Sequence, residues 1–491
     1  MSHSRVIRKI QPRLNQTSHF IYCCALTCLG LFFLLSASFV EAQDRYPVPW
    51  DKVEKETLEH FQALVRIDTS NPPGNETKAA EYLKKVFGKE GISAELLALD
   101  PNRANLVARI RGSGWFKKPI LVMGHTDVVG VQKEKWSVDP FAAVRKDGYI
   151  WGRGTLDDKD NVTAGLMLML LLKRQGVKLE RDVIFLAEAG EEGFGKEGLR
   201  YVVASHWDRI NAEFALAEGG GGIIKDGKVQ NISVATSEKV PRGMQLIAKG
   251  TAGHGSMPRP DNAIVHLANA LARLGAWLPP MKLDETTRTY FERLAEISPP
   301  EEAARYRSLL TPKERNEAEL YLSKNELAHN SMIRTSISPT VIKGGFRNNV
   351  IPSEAEAYLD IRALPDEKMD QFVKRMNEII GDPNVEIKPI PWRDAAPTSK
   401  LGTEMFNALE RTQKRLYPGS VTLPVLVTGA TDMSQLRVKG VQAYGIGPLM
   451  LEKDIKEGVG AHSENERILE KSLHDFVRFV WYTVLEVAAA K

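Results

Sequence analysis

Apolar residues stand at helical spacing from Asp51 to Arg66 (Leu58, Phe61, Leu64, Val65). Glu76 to Glu90 repeats the pattern. The two predicted amphipathic helices are separated by an Asn71-Pro72-Pro73-Gly74-Asn75 turn. Short apolar runs then predict strands at Ile92 to Leu99, Asn105 to Ile110, Leu121 to Met123 and Asp182 to Ala187. Asn161 to Gln175, with Leu166, Met167, Leu170 and Leu171, reads as an apolar helix between the last two. Phe214 to Ala217 is a further apolar run ending at an acid. This alternation argues for an α/β domain on a largely parallel sheet.

The pattern changes near Pro241. Gly243 to Gly250, Ile333 to Lys343, Ala355 to Ile361 and Val385 to Ile390 read as strands, and Ala263 to Leu274 and Glu367 to Ile380 as helices. Two helices on one small sheet suggest an inserted α+β domain. Pro279 to Ala328 is charged and helical in flavour, with no clear chemistry. The first pattern resumes with a helix from Leu401 to Leu416, strands at Val421 to Val427 and Val441 to Gly447, and a terminal amphipathic helix from Ile468 to Ala488. The expected division is a first catalytic part over 43–240, an insertion over 241–393 and a second catalytic part over 394–491. A chain of 491 residues is too long for one core, which agrees with more than one domain.

The first 42 residues differ in kind. A basic stretch from Met1 to Arg13 precedes an uncharged run from Phe20 to Val40, and Val40-Glu41-Ala42 suits a cleavage site before Gln43. This reads as a secretory signal peptide, with an uncleaved membrane anchor as the alternative because the run is long. Export, to the outside or a periplasm, follows either way. All three cysteines (Cys23, Cys24, Cys28) lie in this run. The rest of the chain therefore has no disulfide, thiolate metal site or cysteine nucleophile. Four bases and one acid precede residue 43, so the formal charge of +4 falls to +1 for the remainder. Nothing in that balance points to nucleic acid.

The chemistry gathers at strand ends. His125 and Asp127, two apart after Leu121-Val122-Met123-Gly124, leave one sheet edge on the same side. That suits a metal ligand with a carboxylate orienting it. A Gly-rich turn, Gly152-Arg153-Gly154, delivers Asp157 and Asp158. Glu191 and Glu192 follow the Asp182 to Ala187 strand, Glu218 follows Ala217, and His462 precedes the last helix. Two imidazoles and several carboxylates form a nitrogen/oxygen set suited to zinc or another first-row divalent ion. His125, Asp157, one of Glu191 and Glu192, Glu218 and His462 are too many for one tetrahedral ion and suit two ions sharing a carboxylate. Of the adjacent Glu191 and Glu192, one can ligate while the other serves as a base not tied to metal. Taken singly, each of these acids reads as a solvated loop carboxylate; their joint occurrence carries the inference.

Gly124-His125-Thr126-Asp127, Gly152-Arg153-Gly154 with Asp157-Asp158-Lys159, Glu191-Glu192, Glu218-Gly219 and His462 with Glu464-Asn465-Glu466 resemble, in order, the co-catalytic metallopeptidase family of aminoacylase, glutamate carboxypeptidase, carboxypeptidase S, carnosine dipeptidase and succinyl-diaminopimelate desuccinylase. The resemblance covers nearly everything after residue 50. It implies a mainly parallel α/β catalytic domain with an inserted α+β lid that also dimerises. It implies two divalent ions, zinc first, with cobalt or manganese as alternatives. His125 and Glu218 would hold one ion, Glu192 and His462 the other, with Asp157 between them. Asp127 would orient His125, and Glu191 would serve as general base to a metal-bridged hydroxide. The Asp157-Asp158 peptide would be cis. His254, in Gly253-His254-Gly255-Ser256, would reach across a homodimer to the oxyanion; Asn349 and Arg362 would bind substrate. An arginine fork suits a terminal carboxylate. The family often has Ala-His-Ser where this chain has Gly253-His254-Gly255, a departure that removes no ligand.

The implied activity is hydrolysis of an amide bond beside a free carboxylate, in small peptides or N-acyl amino acids. The alternatives are a bimetal aminopeptidase, which needs a free substrate amine, and a binding relative without catalysis, which should lack a ligand or the base.

Overall fold

The computed structural model describes Met1, residues 45–114, 116–193, 195–391 and 394–490. The expected signal segment, 1–42, lies outside the described residues apart from Met1. No helix among the described residues is long and apolar enough to cross a membrane.

From Val48 onward the chain forms one compact unit containing two main sheets. In the ten-stranded sheet, Ile120–His125 lies between Val183–Glu188 and Phe214–Ala217, parallel to both. Gln442–Gly445 extends the parallel part beside Phe214–Ala217. These strands are buried on both faces, as their uninterrupted apolar runs require. The helix Lys159–Arg174 is buried from Lys159 to Leu172 and packs at the centre. Glu470–Ala488 lies against it and buries Trp481 completely. Gly165 lets the helix Lys159–Arg174 approach the strand Val183–Glu188: a Cβ there would sit 2.4 Å from Cε2 of Phe185.

The sheet is more mixed than the alternation predicts. Ala94–Leu97, Asn105–Ile110 and Val183–Glu188 pair antiparallel. Gly221–Lys225 and Lys228–Glu238 form a hairpin that the hydrophobic pattern does not announce. Its turn is Asp226-Gly227, both at positive φ (50° and 73°). That dipeptide is the strongest short hairpin signal a sequence offers. Lys228–Glu238 also carries Val421–Val427 in parallel.

The small sheet is antiparallel. Glu354–Ala363 pairs with Met244–Lys249 and Val240–Pro241 on one side and Ser336–Gly344 on the other, and Val385–Pro389 borders Met244–Lys249. Ala263–Ala276 and Met369–Ile380 cover one face around Leu246, Leu267, Leu359 and Met376. The charged stretch folds into Glu285–Ile297, Pro300–Leu309, Arg315–Asn325 and Leu327–Met332. Its core of Phe291, Tyr306, Leu309 and Leu322 includes Leu423 and Leu426, so it buttresses the large sheet.

Substituting Gly165 by leucine forces the helix Lys159–Arg174 away from Phe185. The expected cost is about 1–3 kcal/mol, read as a lower urea midpoint at unchanged slope; an unchanged midpoint would show that the contact yields freely.

Candidate metal centre

The strands above end where the polar residues begin. His125 closes Ile120–His125, Glu218 follows Phe214–Ala217, and Glu191 and Glu192 stand just beyond Val183–Glu188. Ligands collect at this edge of an open α/β sheet. Asp157 precedes Lys159–Arg174, and its peptide bond to Asp158 is cis.

These side chains converge. His125 Nε2 lies 2.9 Å from Asp157 Oδ1. His462 Nε2 lies 3.1 Å from Asp157 Oδ2 and 2.9 Å from Glu192 Oε1. The two oxygens of Asp157 thus face two different imidazoles. Donor atoms of His125, Asp157 and Glu192 lie within 4.8 Å of one another, as do those of His125, Glu191 and Glu218. His125 therefore belongs to both groups.

Several contacts hold the arrangement. Nδ1 of His125 lies 3.0 Å from the carbonyl oxygen of Asp127 and 3.5 Å from its Oδ1, which leaves Nε2 to face the cluster. The shorter contact is to the Asp127 backbone. Its carboxylate accepts from the backbone N–H groups of Glu191 and Glu192, both at 3.0 Å, and from Asn71 Nδ2 at 2.9 Å. Asp127 thereby fixes the glutamate loop as well as the histidine. Asp158 Oδ2 accepts from the His125 N–H at 3.1 Å, and Asn161 Nδ2 donates to its Oδ1.

The sequence reading assigned no role to Glu466, yet it is completely buried and organises the Gly-rich turn. Arg153 donates to its Oε2 at 2.6 Å, the Gly154 N–H to the same oxygen at 3.1 Å, and the Leu156 N–H to Oε1 at 2.7 Å. Glu238 is similar. It accepts from the N–H and hydroxyl of Thr431 and from Arg437, and so holds the Thr428 to Asp432 loop. Glu466 stands in the sequence inside the His462 to Glu466 motif and Glu238 in none, and the basic partner of each lies far along the chain.

Charge shows what the cluster lacks. Burial pushes Glu218 and Asp158 well above the usual carboxylate range. Burial, with Asp432 and Glu192 nearby, pushes Glu191 up to about 8. Hydrogen bonds to Asp157 and Glu192 raise His462 to about 10. Burial alone would lower His125, but bonds to Asp127 and Asp157 overcome it and hold this imidazole well above its ordinary value. More negative groups meet here than the chain neutralises, and they are the oxygen and nitrogen donors that divalent ions take. The donor set fits bound cations.

Residues 121–486 match Peptidase family M20/M25/M40. The chain belongs to this family. As an M20/M25/M40 member it is a metal-dependent hydrolase. It is 28% identical over 451 residues to the N-fatty-acyl-amino acid synthase/hydrolase PM20D1 of Xenopus tropicalis, covering 87% of this chain and 85% of that protein. It is 30% identical over 427 residues to the probable carboxypeptidase S-like 2 of Dictyostelium discoideum, covering 83% and 78%. Among solved structures, the M20 family metallo-carboxypeptidase of Sulfolobus solfataricus shares the fold with a TM-score of 0.62 at 19% identity, covering 88% of this chain and 98% of that one.

Two cavities adjoin the M20/M25/M40 site. One, of about 860 Å³, is lined by Glu191, Glu192, Arg362, Asp394, Ala430 and Gln435 among others. Arg362 holds Asp360 through Nε at 2.9 and 3.2 Å. The other, of about 500 Å³, is lined by Asp157 and Glu218 and by mostly apolar residues. His254 and Asn349 line neither. They sit together on the ribbon of Gly253–His254 and Val350–Ile351, where the Gly255 N–H donates to the Asn349 carbonyl. His254 is exposed, with Nδ1 2.7 Å from Ser256 Oγ.

Glu466→Ala leaves Arg153 buried without its carboxylate. A loss of about 3–5 kcal/mol is expected, together with reduced metal content by atomic absorption; a stable variant with full metal would remove Glu466 from this role. Metal binding requires neutral imidazoles, and the carboxylates beside His125 and His462 raise the proton affinity of both in the metal-free protein. Adding zinc to the metal-free protein in weak buffer at neutral pH should therefore release protons, detected with an indicator dye, and release should shrink in His462→Ala.

Proposed function

We propose that this protein is an exported amidohydrolase that cleaves the amide bond of N-acyl amino acids, or small peptides, beside a free carboxylate. The carrying observation is the cavity in which Glu191, Glu192 and Arg362 face the same space. It sets a proton acceptor and a cation for the substrate's carboxylate around one volume. The similarity to an N-fatty-acyl-amino acid synthase/hydrolase favours an N-acyl amino acid over a dipeptide.

His125 and Glu218, and Glu192 and His462, with Asp157 between them, would hold two divalent ions, zinc first. Such ions, when bound, polarise the scissile carbonyl and lower the pKa of water. Glu191 takes a proton from the attacking water, whose oxygen bonds to the carbonyl carbon, and passes it to the amine nitrogen as the C–N bond breaks. Burial raises the proton affinity of Glu191 in the metal-free protein, and divalent cations bound beside it would lower it again. Arg362 exchanges Asp360 for the substrate carboxylate, a charge-assisted pair of fixed geometry. Asp127 keeps Glu191 in place through the loop amides.

The site as one chain presents it lacks His254 and Asn349. We assign these to a neighbouring copy in a homodimer built through the small sheet. Ser336–Gly344 is an edge strand exposed over most of its length, and Ile264, Val265, Ile342 and Phe346 expose apolar surface beside it. Such a face invites pairing.

The test is a panel of N-acyl amino acids and dipeptides, each with free and amidated carboxyl ends, given to the metal-loaded protein. Free-acid substrates alone should be cleaved. Glu191→Gln should lower kcat about 10²–10⁴-fold with metal retained. Turnover of amidated substrates that need a free amine would overturn the reading in favour of an aminopeptidase. For the dimer, His254→Ala and Glu191→Gln proteins should each be inactive and regain activity when mixed; no regain, or a fully active monomer in sedimentation, removes His254 from the partner's site.

A further inference from the structure

The second cavity has an unusual composition for a space that reaches the proposed ligands. Asp157 and Glu218 lie in its wall, so it opens on the same cluster as the Arg362 cavity. Among the described residues, no lysine or arginine lines it. Beyond Asn161, Ser233 and Thr428, the rest is aliphatic side chain, proline, methionine and glycine. Part of the wall is the backbone of Gly219 to Gly222. Side chains are excluded there: a Cβ on Gly220 would meet the Gly445 carbonyl at 2.3 Å, and one on Gly222 would meet Leu449 Cδ2 at 2.5 Å.

A peptide or a charged group would lose its water here and find few partners. A hydrocarbon chain loses nothing of that kind and gains from leaving water. The two cavities therefore divide a substrate by chemistry. The amino-acid carboxylate belongs with Arg362, and the acyl group belongs on the other side of the carboxylate cluster.

The wall on this side includes Ala328 and Met332, both on the helix Leu327–Met332. That helix ends the charged stretch to which the sequence assigned no chemistry. The stretch is fastened to the large sheet through Leu423 and Leu426, and Leu426 lines the cavity itself.

We infer that the cavity receives a long unbranched acyl chain, and that Ala328 and Met332 set the length it accepts. The inference rests on the amidohydrolase reading and adds the acyl specificity and the residues that gauge it.

The experiment compares acetyl, octanoyl, dodecanoyl and hexadecanoyl derivatives of one amino acid. Hydrolysis by the wild-type metal-loaded protein is measured alongside calorimetric binding to Glu191→Gln. Affinity and kcat/KM should rise with chain length, by about fourfold per methylene where each is fully buried. Ala328→Trp, at an exposed helical position, and Met332→Trp should each lower the ratio of hexadecanoyl to acetyl kcat/KM by at least about tenfold. They should also shorten the chain at which binding stops improving. Thermal melts establish that at least one variant is folded. A flat chain-length profile in the wild type, or a folded tryptophan variant with an unchanged ratio, overturns the inference while leaving the amidohydrolase reading intact. Failure of the wild type to cleave any member overturns the reading on which it rests.

Discussion

A buried carboxylate needs a donor, a cation or a proton, and the carboxyl edge of the large sheet holds more carboxylates than the chain supplies donors for. Those that are fully served do structural work. Asp127 accepts two loop amides and Asn71, Glu466 holds Arg153 and two turn amides, and Glu238 holds Thr431 and Arg437. Those left in excess, Glu191 and Glu218, sit around His125 with raised proton affinity. The first group is the frame; the second is the part that a ligand completes.

The frame depends on the sheet's order. Parallel strands beside Ile120–His125 bring successive chain ends to one edge, so residues more than 90 positions apart in sequence become neighbours there. Asp157 and His462 come from loops rather than strands, and they need separate anchors. Glu466 provides one for both, since Arg153 bonds it and also reaches the His462 carbonyl.

Much of this was legible in the sequence. Asn105–Ile110 has the expected bounds, and the buried strands and the helix Lys159–Arg174 show in their apolar runs because burial on both faces leaves no polar position. The ligand candidates were legible because imidazole and carboxylate at strand ends have few other uses together. The Gly221–Lys225 hairpin was not read, because its glycines and half-exposed positions break the alternation, although Asp226-Gly227 carried the turn signal. Nor was the work of Glu466 or Glu238. A buried ion pair joins residues hundreds of positions apart and leaves no periodicity. Asp127 shows the same limit: its position was clear, but the grip of its carboxylate on the glutamate loop depends on where that loop returns. The placement of Pro279 to Ala328 against the large sheet could not be read from a charged helical pattern alone.

The cavity walled by Ala328 and Met332 has an evolutionary consequence. The clustered histidine and carboxylate side chains come from strand ends and anchored loops, where substitution breaks a buried charge network. The cavity wall includes Ala328 and Met332, on a short helix apart from the strand ends and loops that carry those side chains. Selection can therefore alter the diet of such a protein in small, separately heritable steps without passing through a form that has lost its chemistry.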